Sequence, residues 1–136
     1  MFPAMTCSPA TPVERARGLI GTKFRLHGRD ALHGLDCVGL IATVFGWQAL
    51  APVGYALRGG SAERWSDMLD SLANRRNGAA CVGDIVLLHT GPTQFHLGIW
   101  AGSGLIHADA AVRRVVESPG ALQWPVVASW FKSQEE

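Results

Sequence analysis

Apolar and polar positions split the chain into two halves with different periods. In the first half the spacing is helical. Thr11-Pro12-Val13-Glu14 supplies an N-cap, a proline at the first helical position and a capping-box glutamate. This predicts a first helix over about 12–20 that stops at Gly21. Residues 1–10 read as a loose arm, and 22–35, rich in Gly, His and Arg, as a loop. From Asp36 onward apolar residues fall at 37, 40, 41, 44 and 45, a helical repeat that is apolar on nearly every side. Asp36 is its predicted N-cap, and a helix of this composition is buried and central. A third helix over about 61–75, capped by Ser61, turns Trp65, Met68, Leu69 and Leu72 inward.

The second half changes to short runs split by turn residues. Strands are predicted over 83–89, 94–101, 105–110, 112–117 and 125–131. Gly91-Pro92, Gly102-Ser103-Gly104 and Pro119-Gly120 mark the turns. Helices followed by a meander of strands make an α+β domain, with the N-terminal helices packed on a central antiparallel sheet of about five strands. No repeat or low-complexity tract interrupts the pattern, so residues 1–136 read as one domain.

Composition narrows the partners. Lys and Arg number 12 and Asp and Glu 11, for a net charge of +1 with no basic block. That argues against nucleic acid or an anionic membrane surface as the main partner. Hydrophobic residues make up 48% of the chain, enough for a core and too many for disorder. No run approaches the ~20 apolar residues of a membrane span, so no insertion is expected. The N-terminus lacks the basic and apolar regions of a signal peptide. The expectation is synthesis in the cytoplasm, with any extracellular target reached by another route. The cysteines are Cys7, Cys37 and Cys81. An odd count at wide spacing implies no disulfide framework.

Cys37 carries the first chemical signal. An isolated cysteine in an apolar helix is first of all a small buried hydrophobe. This one sits in the first helical turn, just after the cap, where free N–H groups and the helix dipole favour a thiolate. A thiolate is the form that attacks a carbonyl, and the same N–H groups can hold an oxyanion. Gly34 and Gly39 flank the position and suggest close approach of a substrate. Asp36 is a cap first and an option for a substrate amine second.

A nucleophilic cysteine needs a base. Strand alternation puts His96, Gly98 and Trp100 on one face of the 94–101 strand, and Leu105, His107 and Asp109 on one face of the next. A tight hairpin at Gly102-Ser103 sets Gly98 opposite His107 and His96 opposite Asp109. His96 and His107 are then diagonal neighbours, with Gly98 leaving room for a ring to lean across. Asp109 is the alternative orienter of His96. His89 is expected to face solvent. His27 and His33, with Arg25 and Arg29, read as solvated loop residues or as lining of the cleft. The tryptophans are most simply core or interface residues.

These residues resemble a known family. Gly34-Leu35-Asp36-Cys37-Val38-Gly39-Leu40 is similar to the G-x-D-C-S-G-L signature of NlpC-type cell-wall peptidases. Ala16 to Arg25 resembles their A-x-x-x-x-G-x-P-Y-x segment, and Gly83-Asp84-Ile85-Val86 their G-D-L-V. His96-Leu97-Gly98-Ile99-Trp100 is similar to H-V-G-I-Y, and Ile106-His107-Ala108 to the following I-H-A. The resemblance implies a papain-like α+β fold and hydrolysis of amide bonds in peptidoglycan stem peptides. It makes Cys37 the nucleophile, His96 the base and His107 its orienter, with no metal or organic cofactor. Protonated His96 would pair with the Cys37 thiolate. Phe24 stands where the family has tyrosine, Val38 where it has serine and Lys23 where it has proline. These departures bear on substrate recognition. The small branch encoded with phage tails and gene transfer agents is nearest in character. It implies tail proteins as partners and delivery to the wall by a particle.

Three other readings stay open. Cys37, His96 and His107 could be zinc ligands, although no C-x-x-C or H-x-x-x-H spacing supports it. The chain could be an inactive tail or scaffold protein with the same fold. A related thiol reaction, such as acyl transfer or amide hydrolysis on another substrate, uses the same groups.

Overall fold

The computed structural model describes residues 10–49 and 61–132. Apart from residue 10, the expected arm lies outside them. Helix α1 spans Ala10–Arg17. Bonds from Gly18 N–H to Glu14 O and Leu19 N–H to Ala16 O continue it as turns to Gly21, where Gly21 N–H meets Val115 O. The expected 22–35 loop holds a small hairpin, β1 (Arg29–Asp30) with β2 (Gly34–Leu35). Helix α2, Cys37–Phe45, follows at once and ends on Gly46 in the left-handed region. Helix α3 covers Ala62–Asp70, with Ser61 Oγ accepting from the Arg64 N–H at 3.2 Å. It is shorter than predicted because Asn74–Arg75 leave the helix to become strand β3.

The remaining strands are β4 (Ile85–Gly91), β5 (Gln94–Trp100), β6 (Gly104–Asp109), β7 (Arg114–Pro119) and β8 (Val126–Phe131). They form one six-stranded antiparallel sheet in the order β3-β8-β4-β5-β6-β7. The five predicted strands are all present. The sixth is the two-residue β3, held at the edge by β8.

The two faces of the sheet carry different cores. Ile85, Leu87, Leu97, Ile99, Ile106, Ala108, Val115 and Trp130 face the helices and pack with Leu40, Ile41 and Val44 of α2. Burying a side chain of this size contributes roughly 1.5–3 kcal/mol, so the apolar repeat of α2 drives the docking. Trp65 and Leu69 are buried from α3, as expected, and Met68 and Leu72 pack beside them. On the other face Val86, Leu88 and Leu105 are covered by Trp100, Leu122 and Trp124. Asp84 of the Gly83-Asp84 motif is buried and takes both Arg76 Nε and Nη2 at 2.8 Å, as well as the Cys81 N–H. This motif braces the strand entry and is structural. Cys81 is disulfide-bonded, where the cysteine count predicted no disulfide framework. No described helix is long and apolar enough to cross a membrane.

Candidate active site

Asp36 fixes the start of α2. Its backbone is extended, and Oδ1 accepts the Gly39 N–H at 2.8 Å. Oδ1 also meets Arg29 Nη1 at 3.2 Å, and Oδ2 accepts the His27 N–H at 2.8 Å. The carboxylate is fully buried. Its role is that of a cap tying the 27–29 segment to the helix, and a substrate amine would reach it only if this shell opened. Gly39 is needed for the same packing. A Cβ there would collide with the Gly28 carbonyl. The Cβ position of Gly34 is 2.8 Å from Arg25 Cβ, and its φ is +127°. Both glycines are therefore packed against protein, not opened to a substrate.

Cys37 is the first residue of α2 and is only 1% exposed. Burial pushes its thiol up to about 12, with the Asp36 carboxylate adding to the rise. The N–H groups of Leu97, Val38 and Cys37 pull the other way and lose. Desolvation outweighs the helix terminus here.

His96 and His107 come from adjacent strands. β5 and β6 pair Ile99 with Ile106 and Trp100 with Leu105, a register that agrees with the one expected from the hairpin. His96 Nε2 and His107 Nδ1 are 2.8 Å apart, the diagonal contact predicted from alternation. The space above Gly98 is filled by Leu105, whose Cδ1 would lie 2.6 Å from an added Cβ. Gly98 thus accommodates Leu105 where an imidazole was expected. Trp124 stands edge-on to both rings, with centroids 6.3 and 6.4 Å away. Burial draws His96 down to about 4, His107 lowers it further, and Asp109 opposes both. His107 is lowered by burial as well, against the same opposing carboxylate.

Cys37, His96 and His107 line one cavity of about 510 Å³, together with Phe24, Asp109 and Trp124. It opens where β5 begins and β6 ends. Among the described residues no hydrogen bond joins Cys37 to His96. With Nε2 engaged, Nδ1 is the His96 nitrogen left for a neighbour. Near neutral pH the thiol keeps its proton and the imidazole is neutral, with one nitrogen protonated and the other free to accept. This favours a neutral pair over the expected thiolate–imidazolium pair. Such a pair acts by moving the thiol proton to the ring as the sulfur attacks.

The other expected residues divide. Asp109 Oδ1 accepts the N–H groups of Ala111 and Val112, so it shapes the following turn while its charge acts on both histidines. No hydrogen bond from it to His96 is formed among the described residues. Arg25 is exposed and does not line the cavity. Neither do His27 and His33, and His33 Nδ1 lies 2.9 Å from Asp30. His89 is exposed and stacks on Phe95. Val38 is 3% exposed and lines a separate apolar pocket with Met68 and Leu69 of α3 and with Leu72, so a serine hydroxyl there would not face this cavity. Ser118 was not anticipated. Its Oγ is 3.0 Å from His107 Nε2. Only the β6–β7 register reveals it, since a serine before Pro-Gly reads as part of a turn. No group of three or more His, Cys, Asp or Glu among the described residues is arranged to hold a metal ion.

Solved structures share this architecture. The NlpC/p60 domain of the peptidoglycan hydrolase SagA matches with a TM-score of 0.57 and 21% identity, over 80% of this chain and 86% of that one. The peptidoglycan hydrolase RipB of Mycobacterium tuberculosis matches with a TM-score of 0.58 and 18% identity, over 89% of this chain and 62% of its own. A lipoprotein-like protein of the NLP/P60 family from Staphylococcus aureus gives a TM-score of 0.58 and 16% identity, over 93% of this chain and 43% of its own. The chain therefore spans less than two thirds of the latter two. No protein-family model matches the sequence, and no curated protein matches it. The chain has the NlpC/p60 fold, as the motif resemblance implied.

Proposed function

We propose that this NlpC/p60-fold chain is a cysteine-type peptidase of peptidoglycan, cutting amide bonds in the stem peptides. The observation that carries the reading is the 2.8 Å His96–His107 bond at a cavity that Cys37 also lines. Fold-level likeness to peptidoglycan hydrolases supports the substrate class by analogy.

In this reading the Cys37 sulfur attacks the scissile carbonyl carbon as its proton passes to His96 Nδ1. The N–H groups at the start of α2 receive the developing oxyanion. The C–N bond breaks as His96 returns the proton to the leaving amine. A water deprotonated by His96 then attacks the thioester, releasing the acid and restoring the thiol. His107 holds His96 through Nε2. Phe24 and Trp124 offer apolar walls to the peptide, and Asp109 a negative charge. Delivery by a phage tail or gene transfer agent extends the proposal and rests on the motif resemblance alone.

A second reading has one observation in its favour. The buried, high-pKa thiol of Cys37 suits a structural protein that keeps the fold without the activity. Dye release from labelled sacculi separates the two. Release that stops once the thiol is alkylated supports the peptidase; no release at any enzyme concentration supports the structural protein.

A further inference from the structure

His96, His107 and Ser118 lie on three successive strands, each a diagonal neighbour of the last. The β6–β7 register pairs His107 with Val116 and Leu105 with Ser118. Ser118 therefore shares the sheet face of His107, offset by one pair, just as His107 is offset from His96. The bonds are 2.8 Å for His96 Nε2 to His107 Nδ1 and 3.0 Å for His107 Nε2 to Ser118 Oγ. Both ring nitrogens of His107 are thus engaged, one on each side.

We propose that Ser118 is a positioning residue that holds the His107 proton on Nε2, and thereby makes Nδ1 of His96 the base. Its part in catalysis rests on the peptidase reading above. A neutral imidazole has one donor and one acceptor, so the row of bonds has only two polarities. In the first, His107 Nε2–H donates to Ser118 Oγ. Its Nδ1 lone pair then accepts from His96 Nε2–H, and His96 Nδ1 carries a lone pair toward the cavity. In the second, the serine hydroxyl donates, His107 Nδ1–H donates to His96, and His96 Nδ1 carries a proton. That ring cannot accept the Cys37 proton.

Two features favour the first polarity. A hydroxyl rotates, so after accepting from His107 it can turn its own proton to water at the half-exposed Ser118 site. The second polarity instead aims an N–H into the cavity beside Cys37, whose sulfur is a weak acceptor. When His96 takes the thiol proton, its Nε2–H and the two bonds behind it stay as they were. No proton has to move along the row, and the serine acts only by fixing a tautomer.

Nitrogen-15 NMR of the histidine rings at pH 7.5 tests this without any substrate. The expected wild-type spectrum shows both His96 and His107 protonated on Nε2. Ser118→Ala should give His107 a mixture of tautomers and lower kcat by about 2- to 10-fold, the ratio one hydrogen bond sets, with KM unchanged. Ser118→Thr, which keeps the hydroxyl, should restore both. A wild-type His107 protonated on Nδ1 would overturn the proposal, and so would a Ser118→Ala spectrum identical to wild type. If Ser118→Ala does not fold, the wild-type spectrum still decides. Because tautomers are read on the free protein, failure to cleave peptidoglycan would refute the peptidase reading and leave this result standing.

Discussion

Replacing His96 by Gln should flatten the acid side of the stability curve. In the native protein burial draws the His96 imidazole from its ordinary 6.5 to about 4, with His107 contributing. Above pH 6.5 neither the folded nor the unfolded chain protonates this ring, and it has no effect. As pH falls below 6.5 the unfolded chain takes up a proton that the folded chain refuses until about pH 4. Folding stability is therefore lost over that window, by about 1.4 kcal/mol per pH unit. The total is about 3 kcal/mol, a ceiling because the ring is half-buried and partly screened by solvent. His107 is lowered too and adds loss in the same direction. The carboxylates held low, Asp30, Asp70 and Glu117, enter only nearer their ordinary values of 3.8, 3.8 and 4.5. Urea unfolding of wild type and His96→Gln at several pH values between 7 and about 4.5 isolates the effect. The comparison uses slopes, so any constant cost of the substitution cancels. Equal slopes in the two proteins would refute the burial argument for His96.

Other predictions follow from the same geometry. With its thiol pushed up to about 12, Cys37 should react slowly with iodoacetamide at pH 7, its labelling rate still climbing above pH 9; a plateau by pH 6 would mean a preformed thiolate. Asp36→Ala removes the acceptor of Gly39, His27 and Arg29 and should cost about 3–5 kcal/mol in denaturant unfolding, as when one partner of a buried pair is lost; a loss below about 1 kcal/mol would contradict the buried network. Gly98→Ala forces a Cβ to within 2.6 Å of Leu105 Cδ1 and 3.0 Å of Ile106 O, which should cost about 1–3 kcal/mol and lower the calorimetric Tm. An unchanged Tm would show that β6 yields freely.

Much of this architecture is written in local patterns. Asp36 followed by an apolar helical repeat announced both the cap and the central helix. Alternation in 94–101 and 105–110 placed His96 and His107 on one face, and the short hairpin set their diagonal contact. What escaped the sequence depends on partners far along the chain. β3 is two residues long and exists because β8 offers an edge. The 29–35 hairpin hides in a Gly- and His-rich stretch with no strand-like run. Ser118 acquires its role only through the β6–β7 register. The depth of Cys37 was legible only in part, since the apolar helix pointed to a buried thiol. Its place at a helix start argued for a thiolate, but how much of its solvation is lost depends on the packing around it, Leu97 of β5 included. Asp109 lay within the expected reach of His96, and the demands of the next turn claimed its oxygen.

The central claim is that Cys37 is the nucleophile that opens a stem-peptide amide, and mass analysis of muropeptides tests it most directly. Purified sacculi are digested with wild type and with Cys37→Ala, after unfolding curves show that both are folded. Wild type should release peptides cut at one amide bond, each cut adding one water, and Cys37→Ala should leave the profile of untreated sacculi. The same cut products from Cys37→Ala at the wild-type rate would contradict the account.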